Sequence, residues 1–169
     1  MAEFPDGIFF NPRIEKVENA VALVAGISGG IPIRLLDLVF YLSDREHLNR
    51  YGRPVLGLPY GREEDHPYSK EVRSMSALAA TAESPWDFNG SLFVRNDVGI
   101  DMDVFSRSDI DTLGKTTLLV MGGSRPETPA GWADRLVGGW VCYSSMMDAH
   151  PDLDERLDDL AYVAPLVSL

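Results

Sequence analysis

Hydrophobic positions recur at helical spacing along most of the first 120 residues. From Pro12 to Ile27 the series Ile14, Val17, Val21 and Val24 falls on one helix face, and Pro12 suits a helix start. Ser28-Gly29-Gly30 ends that helix and Pro32 fits the first turn of another, which predicts a helical hairpin. The second arm is almost wholly apolar from Leu35 to Leu42, turns charged, and stops at Gly52-Arg53-Pro54. Glycine supplies the left-handed residue that closes a helix, and proline cannot continue one. A helix apolar around most of its circumference belongs inside a protein, so this arm is expected to be a buried central rod.

Pro54, Gly57, Pro59 and Gly61 make residues 52–61 a loop of tight turns. A third helix is expected after Pro67, with Val72, Met75, Leu78 and Ala79 facing inward, stopped by Ser84-Pro85. The runs Ser91–Arg95 and Val98–Met102 flank Asn96-Asp97 and predict a β-hairpin near 91–102. Ser106-Arg107-Ser108-Asp109 reads as a capping box opening a helix to about Met121. Further helices are expected from Pro129 to about Trp140 and from about Pro151. The fold class is therefore mainly α (α+β): a helical domain around a buried central helix, with a small antiparallel hairpin. Residues 1–12 form an irregular lead-in that Phe4, Ile8, Phe9 and Phe10 dock onto the body. Residues 13–121 form that body, and 122–169 a helical extension packed on it.

Composition narrows the functional classes. With 169 residues, 45% apolar and 24% charged, the chain has the make-up of one globular domain. No apolar run approaches the roughly 18 residues of a membrane span. The N-terminus lacks the pattern of a secretory signal, and the single Cys142 fits a reducing cytoplasm and a packed thiol. A net charge of −11 disfavours direct nucleic-acid binding, since Arg45, Arg50, Arg53 and Arg62 are interleaved with Asp44, Glu46, Glu63, Glu64 and Asp65. Such acidity suits a basic protein partner.

On the central helix Arg34, Asp37, Tyr41, Asp44 and Arg45 share one strip at i, i+3 and i+4 spacing. Polar groups on a buried helix must be hydrogen-bonded. The strip is expected to be an internal network, with Arg34–Asp37 and Tyr41–Arg45 pairs, and His47 to pack at its end. The enzymatic alternative would use Asp44 with His47, or Glu64 and Asp65 with His66, for acid–base or metal chemistry. No His-x-x-x-His, Cys-x-x-Cys or Gly-x-Ser-x-Gly pattern supports it, so neither catalysis nor a metal or cofactor is expected.

Three segments carry a family resemblance. Leu42-Ser43-Asp44-Arg45-Glu46-His47-Leu48-Asn49-Arg50-Tyr51-Gly52-Arg53-Pro54 resembles the signature of the Panacea domain, a family that includes SocA-like antitoxins and GepA-like phage-associated proteins. Leu58-Pro59-Tyr60-Gly61 is similar to that family's aromatic-Gly turn, and Phe105 to Leu113 to its Leu-Ser-x-Ser-Glu-Ile-x-x-Leu helix start. The matches keep the family's order across about residues 14–121. Two departures stand out: the connection between the first two segments is short, and Arg62 replaces the proline after the turn glycine. The resemblance implies a binding protein that neutralises a toxin or other partner by direct contact, or an adaptor that delivers one to a protease. With the charged, turn-rich 53–68 loop, it places Arg45, Arg50, Arg53, Tyr60 and Arg62 at the contact. Glu63, Glu64 and Asp65 would then meet a basic partner.

Overall fold

A computed structural model describes residues 10–63, 66–78 and 80–122, together with the backbone of 136–137 and 140–141. Expectations for Phe4, Ile8, Phe9, Glu64, Asp65, Ala79, Cys142 and the last helix lie outside these residues. The first helix, α1, spans Ile14–Ser28 and closes on Gly29. A two-residue strand, β1 (Ile31–Pro32), leads into α2, Ile33–Tyr51, the longest element among the described residues. Leu36 to Asp44, His47 and Leu48 of α2 are all buried. The rod is the hub that its apolar run predicts: residues 31–32, 66–69, 70–77 and 107–121 all pack on it. It ends on Gly52, which takes a left-handed φ of 80° and returns its N–H to the Leu48 carbonyl at 2.9 Å.

After the rod comes a loop that brings in strands β2 (Tyr60–Glu63) and β3 (His66–Ser69), an antiparallel pair with Tyr60 opposite Ser69. The 52–61 loop reading thus holds only to Pro59. Helix α3, Lys70–Ala77, begins directly at Ser69, whose hydroxyl caps it. It buries Val72 and Met75 as expected, but stops before Leu78, which is 72% exposed rather than inward.

The expected hairpin near 91–102 is displaced. Strand β4 (Trp86–Phe88) pairs with β5 (Leu92–Arg95) around Asn89-Gly90. Gly90 provides a φ of 91°, and the Asn89 side chain accepts the Ser91 and Leu92 N–H groups. Asn96 instead ties down the next turn: its side-chain oxygen accepts from Val98 N–H and its amide donates to the Ser84 carbonyl. Residues 102–104 form a 3-10 turn.

Helix α4 spans Arg107–Met121 with the predicted capping box in place. It packs against both α1 and α2, whereas those two arms of the expected helical hairpin make little contact with each other. Among the described residues the strands form two antiparallel sheets, β1-β5-β4 and, with residues 136–137 (β6) and 140–141 (β7), β3-β2-β7-β6. Strands β6 (Leu136–Val137) and β7 (Trp140–Val141) fall where a helix was expected to reach Trp140, and β7 pairs with β2. Ser106→Ala removes the oxygen that accepts the Asp109 N–H and an Arg53 guanidinium N–H. Loss of a serine cap costs about 0.5–2 kcal/mol. A urea midpoint lowered accordingly, at unchanged slope, is the expected result.

Candidate functional site

Three polar side chains on the buried rod, Asp37, Asp44 and His47, each pin a different neighbouring segment. Asp44, fully buried, accepts from the backbone N–H of Leu56 at 2.7 Å and of Gly57 at 3.2 Å, and from the Tyr60 hydroxyl at 2.8 Å. The chain passes close enough to be held only because residue 57 is glycine. Its φ is +72°, and a Cβ there would lie 2.7 Å from Cβ of Phe10. The Tyr60 ring then stands edge-on to Tyr41 at 5.4 Å.

His47 joins α2 to the start of α4. Its Nδ1 lies 2.6 Å from the Arg53 carbonyl, so that nitrogen carries the proton. Burial lowers the pKa of the ring, and the Arg53 hydrogen bond only partly offsets it, so the imidazole is neutral and Nε2 accepts. The Ser108 hydroxyl, 2.9 Å away, is therefore the donor. A circuit follows: Arg53 donates to Ser106 at 2.9 Å, Ser106 lies 3.0 Å from Ser108, Ser108 donates to His47, and His47 donates to Arg53. Beside it, buried Asp109 binds Lys16 at 2.9 Å and Arg53 at 3.0 Å. Burial alone would raise that carboxyl. The Lys16 hydrogen bond, the Ser106 N–H and the two positive charges outweigh it and hold Asp109 below its ordinary value.

Asp37 holds the β2–β3 hairpin and the start of α3. It accepts the Ser69 N–H at 3.1 Å, and Arg73 stands 3.6 Å from its other oxygen, close enough to attract but too far to hydrogen-bond. Burial pushes this carboxyl up to about 7; Ser69 and Arg73 draw it back only in part, and Glu63 adds to the rise. Arg73 also pairs with Glu63 at 2.8 Å and lies over the Tyr68 ring. His66 sits against the Arg34 carbonyl at 2.7 Å, and burial lowers its pKa.

No family model, curated protein or solved structure matches the chain. Its chemistry is therefore read from the arrangement itself. The strip of Arg34, Asp37, Tyr41, Asp44 and His47 is buried as expected from Asp37 onward, but Arg34 is exposed and Asp37 answers Ser69 and Arg73 instead of Arg34. Of the residues assigned to partner contact, Tyr60 is a correction: it is fully buried and serves Asp44. Arg53 keeps its side chain 42% exposed while holding Asp109. Arg45 is half-buried and lines a groove against α4 with Glu46 and Lys115; Arg50, Arg62 and Glu63 are exposed.

These residues do not form one patch. The hairpin runs back along α2, so that Tyr60 lies at Asp44, Ser69 at Asp37 and His66 at Arg34. The 16-residue step from Arg34 to Arg50 spans about 24 Å of helix, which separates the Arg62–Glu63 end from the Arg50 end. At the latter, Tyr51 is 48% exposed, with its ring 4.5 Å from that of His47 and the Arg50 guanidinium 5.6 Å above it. Sequence reading missed Tyr51, although it sits inside the most informative segment and has the residue type that dominates interfaces. Among the described residues, no three His, Cys, Asp or Glu side chains gather closely enough to hold a metal ion, and no helix is long and apolar enough to cross a membrane.

Proposed function

We propose that this chain is a Panacea-like binding protein, an antitoxin or phage-associated inhibitor that neutralises a partner protein by covering part of its surface. The observation that carries the reading is the corner at the end of the rod, where Arg50 stacks on the exposed ring of Tyr51. Arginine and tyrosine anchor interfaces because they combine large apolar area with directional polar groups. Around this corner, the residues that carry the resemblance are engaged within the fold. Asp44 and Tyr60 bind each other; His47, Arg53, Ser106, Ser108 and Asp109 form one hydrogen-bonded knot. In that light the signature specifies the scaffold, and the exposed residues between its fixed positions are left to meet a partner. The same engagement weighs against the acid–base alternative, because Asp44 and His47 are committed to different segments.

The test co-expresses the tagged chain with the product of the adjacent open reading frame. The wild type should retain that protein, and Arg50→Glu combined with Tyr51→Ala should weaken retention at least tenfold at unchanged thermal stability. A wild-type chain that retains nothing under these conditions overturns the reading. An unchanged half-life of the retained partner separates masking from delivery to a protease.

A further inference from the structure

A groove of about 360 Å³ opens between the start of α1 and α3, far in sequence from the Arg50–Tyr51 corner. Its deep wall is Met75 and Trp86, both buried, and its rim is Ile14, 51% exposed, and Leu78, 72% exposed. Exposed apolar side chains that border a concave apolar surface mark a place where something docks. Two further observations say what. Among the described residues, the indole Nε1 of Trp86 is buried and has no hydrogen-bond partner. A buried donor left unmade is costly, so an occupant that brings an acceptor to it gains more than burial alone provides. Glu18 and Glu71 also line the groove together with Lys70, and one oxygen of the Glu71 carboxylate accepts the Ser69 hydroxyl at 3.0 Å. Burial and the nearby Glu15 both raise the pKa of Glu18, so a cation brought beside it would be favoured.

We infer that this groove receives a short basic segment of the partner protein, an apolar side chain seated between Ile14, Met75 and Leu78 with a backbone carbonyl on Trp86 and flanking Lys or Arg on Glu18 and Glu71. The inference rests on the reading of the chain as a protein-binding protein, not on the Arg50–Tyr51 corner. It explains how a chain of net charge −11 would select its partner: the apolar anchor supplies affinity and the acidic rim rejects acidic segments.

The probe is the peptide acetyl-Lys-Leu-Lys-Phe-Lys-amide, titrated into the 15N-labelled full chain, with its Glu-for-Lys counterpart as control. The Trp86 indole N–H resonance is assigned by its loss in Trp86→Phe. The basic peptide should move that resonance downfield in a saturable manner. Leu78→Glu should weaken the response at least tenfold and Glu18→Lys several-fold, with the remaining amide spectrum intact. No movement up to millimolar peptide, or an equal response to the acidic peptide, overturns the proposal. So does a dimer that Leu78→Glu converts to a monomer, since the occupant would then be a second copy. Retention of the co-expressed partner separates the two readings. If the wild type and Leu78→Glu retain it equally, the groove assignment fails and the binding function stands; if the wild type retains nothing, the function itself fails.

Discussion

Asp44→Ala is expected to lower the unfolding free energy by about 4 kcal/mol. The carboxylate lies fully inside the protein and accepts from Leu56 N–H, Gly57 N–H and the Tyr60 hydroxyl. Alanine leaves all three donors without that acceptor, and each buried donor so orphaned costs roughly 1–3 kcal/mol. The segment after the rod would also lose what holds it against α2, so the loss reaches β2 and the hairpin. Two companion variants give the order. Tyr60→Phe removes one donor and should cost about 1 kcal/mol, because the carboxylate keeps its two backbone bonds. Asp44→Asn keeps one accepting oxygen but turns an NH2 toward a donor, and should fall between the other two. Urea unfolding measures all three. An Asp44→Ala chain within about 1 kcal/mol of wild type would mean that this residue does not hold the loop, and the scaffold reading of the signature segment would go with it.

The rod itself was legible because its cause is local. An apolar run closed by Gly52-Arg53-Pro54 determines length, burial and end point together, and the helix runs Ile33–Tyr51 as that pattern requires. The capping box at Ser106 was legible for the same reason, since both of its partners lie within three residues. What escaped sequence reading was non-local. Periodicity finds neighbours along one helix, but on a buried helix the polar groups look outward. Asp37 and Asp44 found backbone N–H groups of residues 69, 56 and 57, and Asp109 found Lys16, 93 residues away. The β2–β3 pair carries Gly61 and Pro67, which read as breakers, and its position comes from ties to α2 at Asp37 and the Arg34 carbonyl. The displaced hairpin is a different lesson. Asn89-Gly90 is the stronger turn signal, because glycine reaches the positive φ that the reversal needs; Asn96-Asp97 serves a turn whose side-chain bonds run elsewhere.

The stability of the protein should fall by roughly 4 kcal/mol between pH 4 and pH 8 through Asp37 alone. In the unfolded chain this carboxyl ionises near pH 4, whereas in the fold burial raises it to about 7. Between those values the folded protein keeps a proton that the unfolded chain has released, so rising pH favours unfolding. The contribution is complete below about pH 4 and is lost as pH rises through 7. About three pKa units at about 1.4 kcal/mol each give the figure. His47 and His66, both lowered by burial, slope the other way below their ordinary values, and Asp109 loses its stabilising charge only in stronger acid. The quantity to measure is therefore the difference between wild type and Asp37→Asn, which cancels the terms they share. That difference should change by about 4 kcal/mol across the window. A flat difference would mean that Asp37 is ionised in the fold throughout. Arg73→Gln provides the second check: its guanidinium, 3.6 Å from the carboxylate, draws the raised value down, so without it the fall should move to higher pH. Ionisation strengthens the Ser69 N–H and Arg73 contacts but leaves a charge buried beneath the hairpin and the start of α3, so these segments, which form one wall of the groove, should open to hydrate it before the rod itself unfolds.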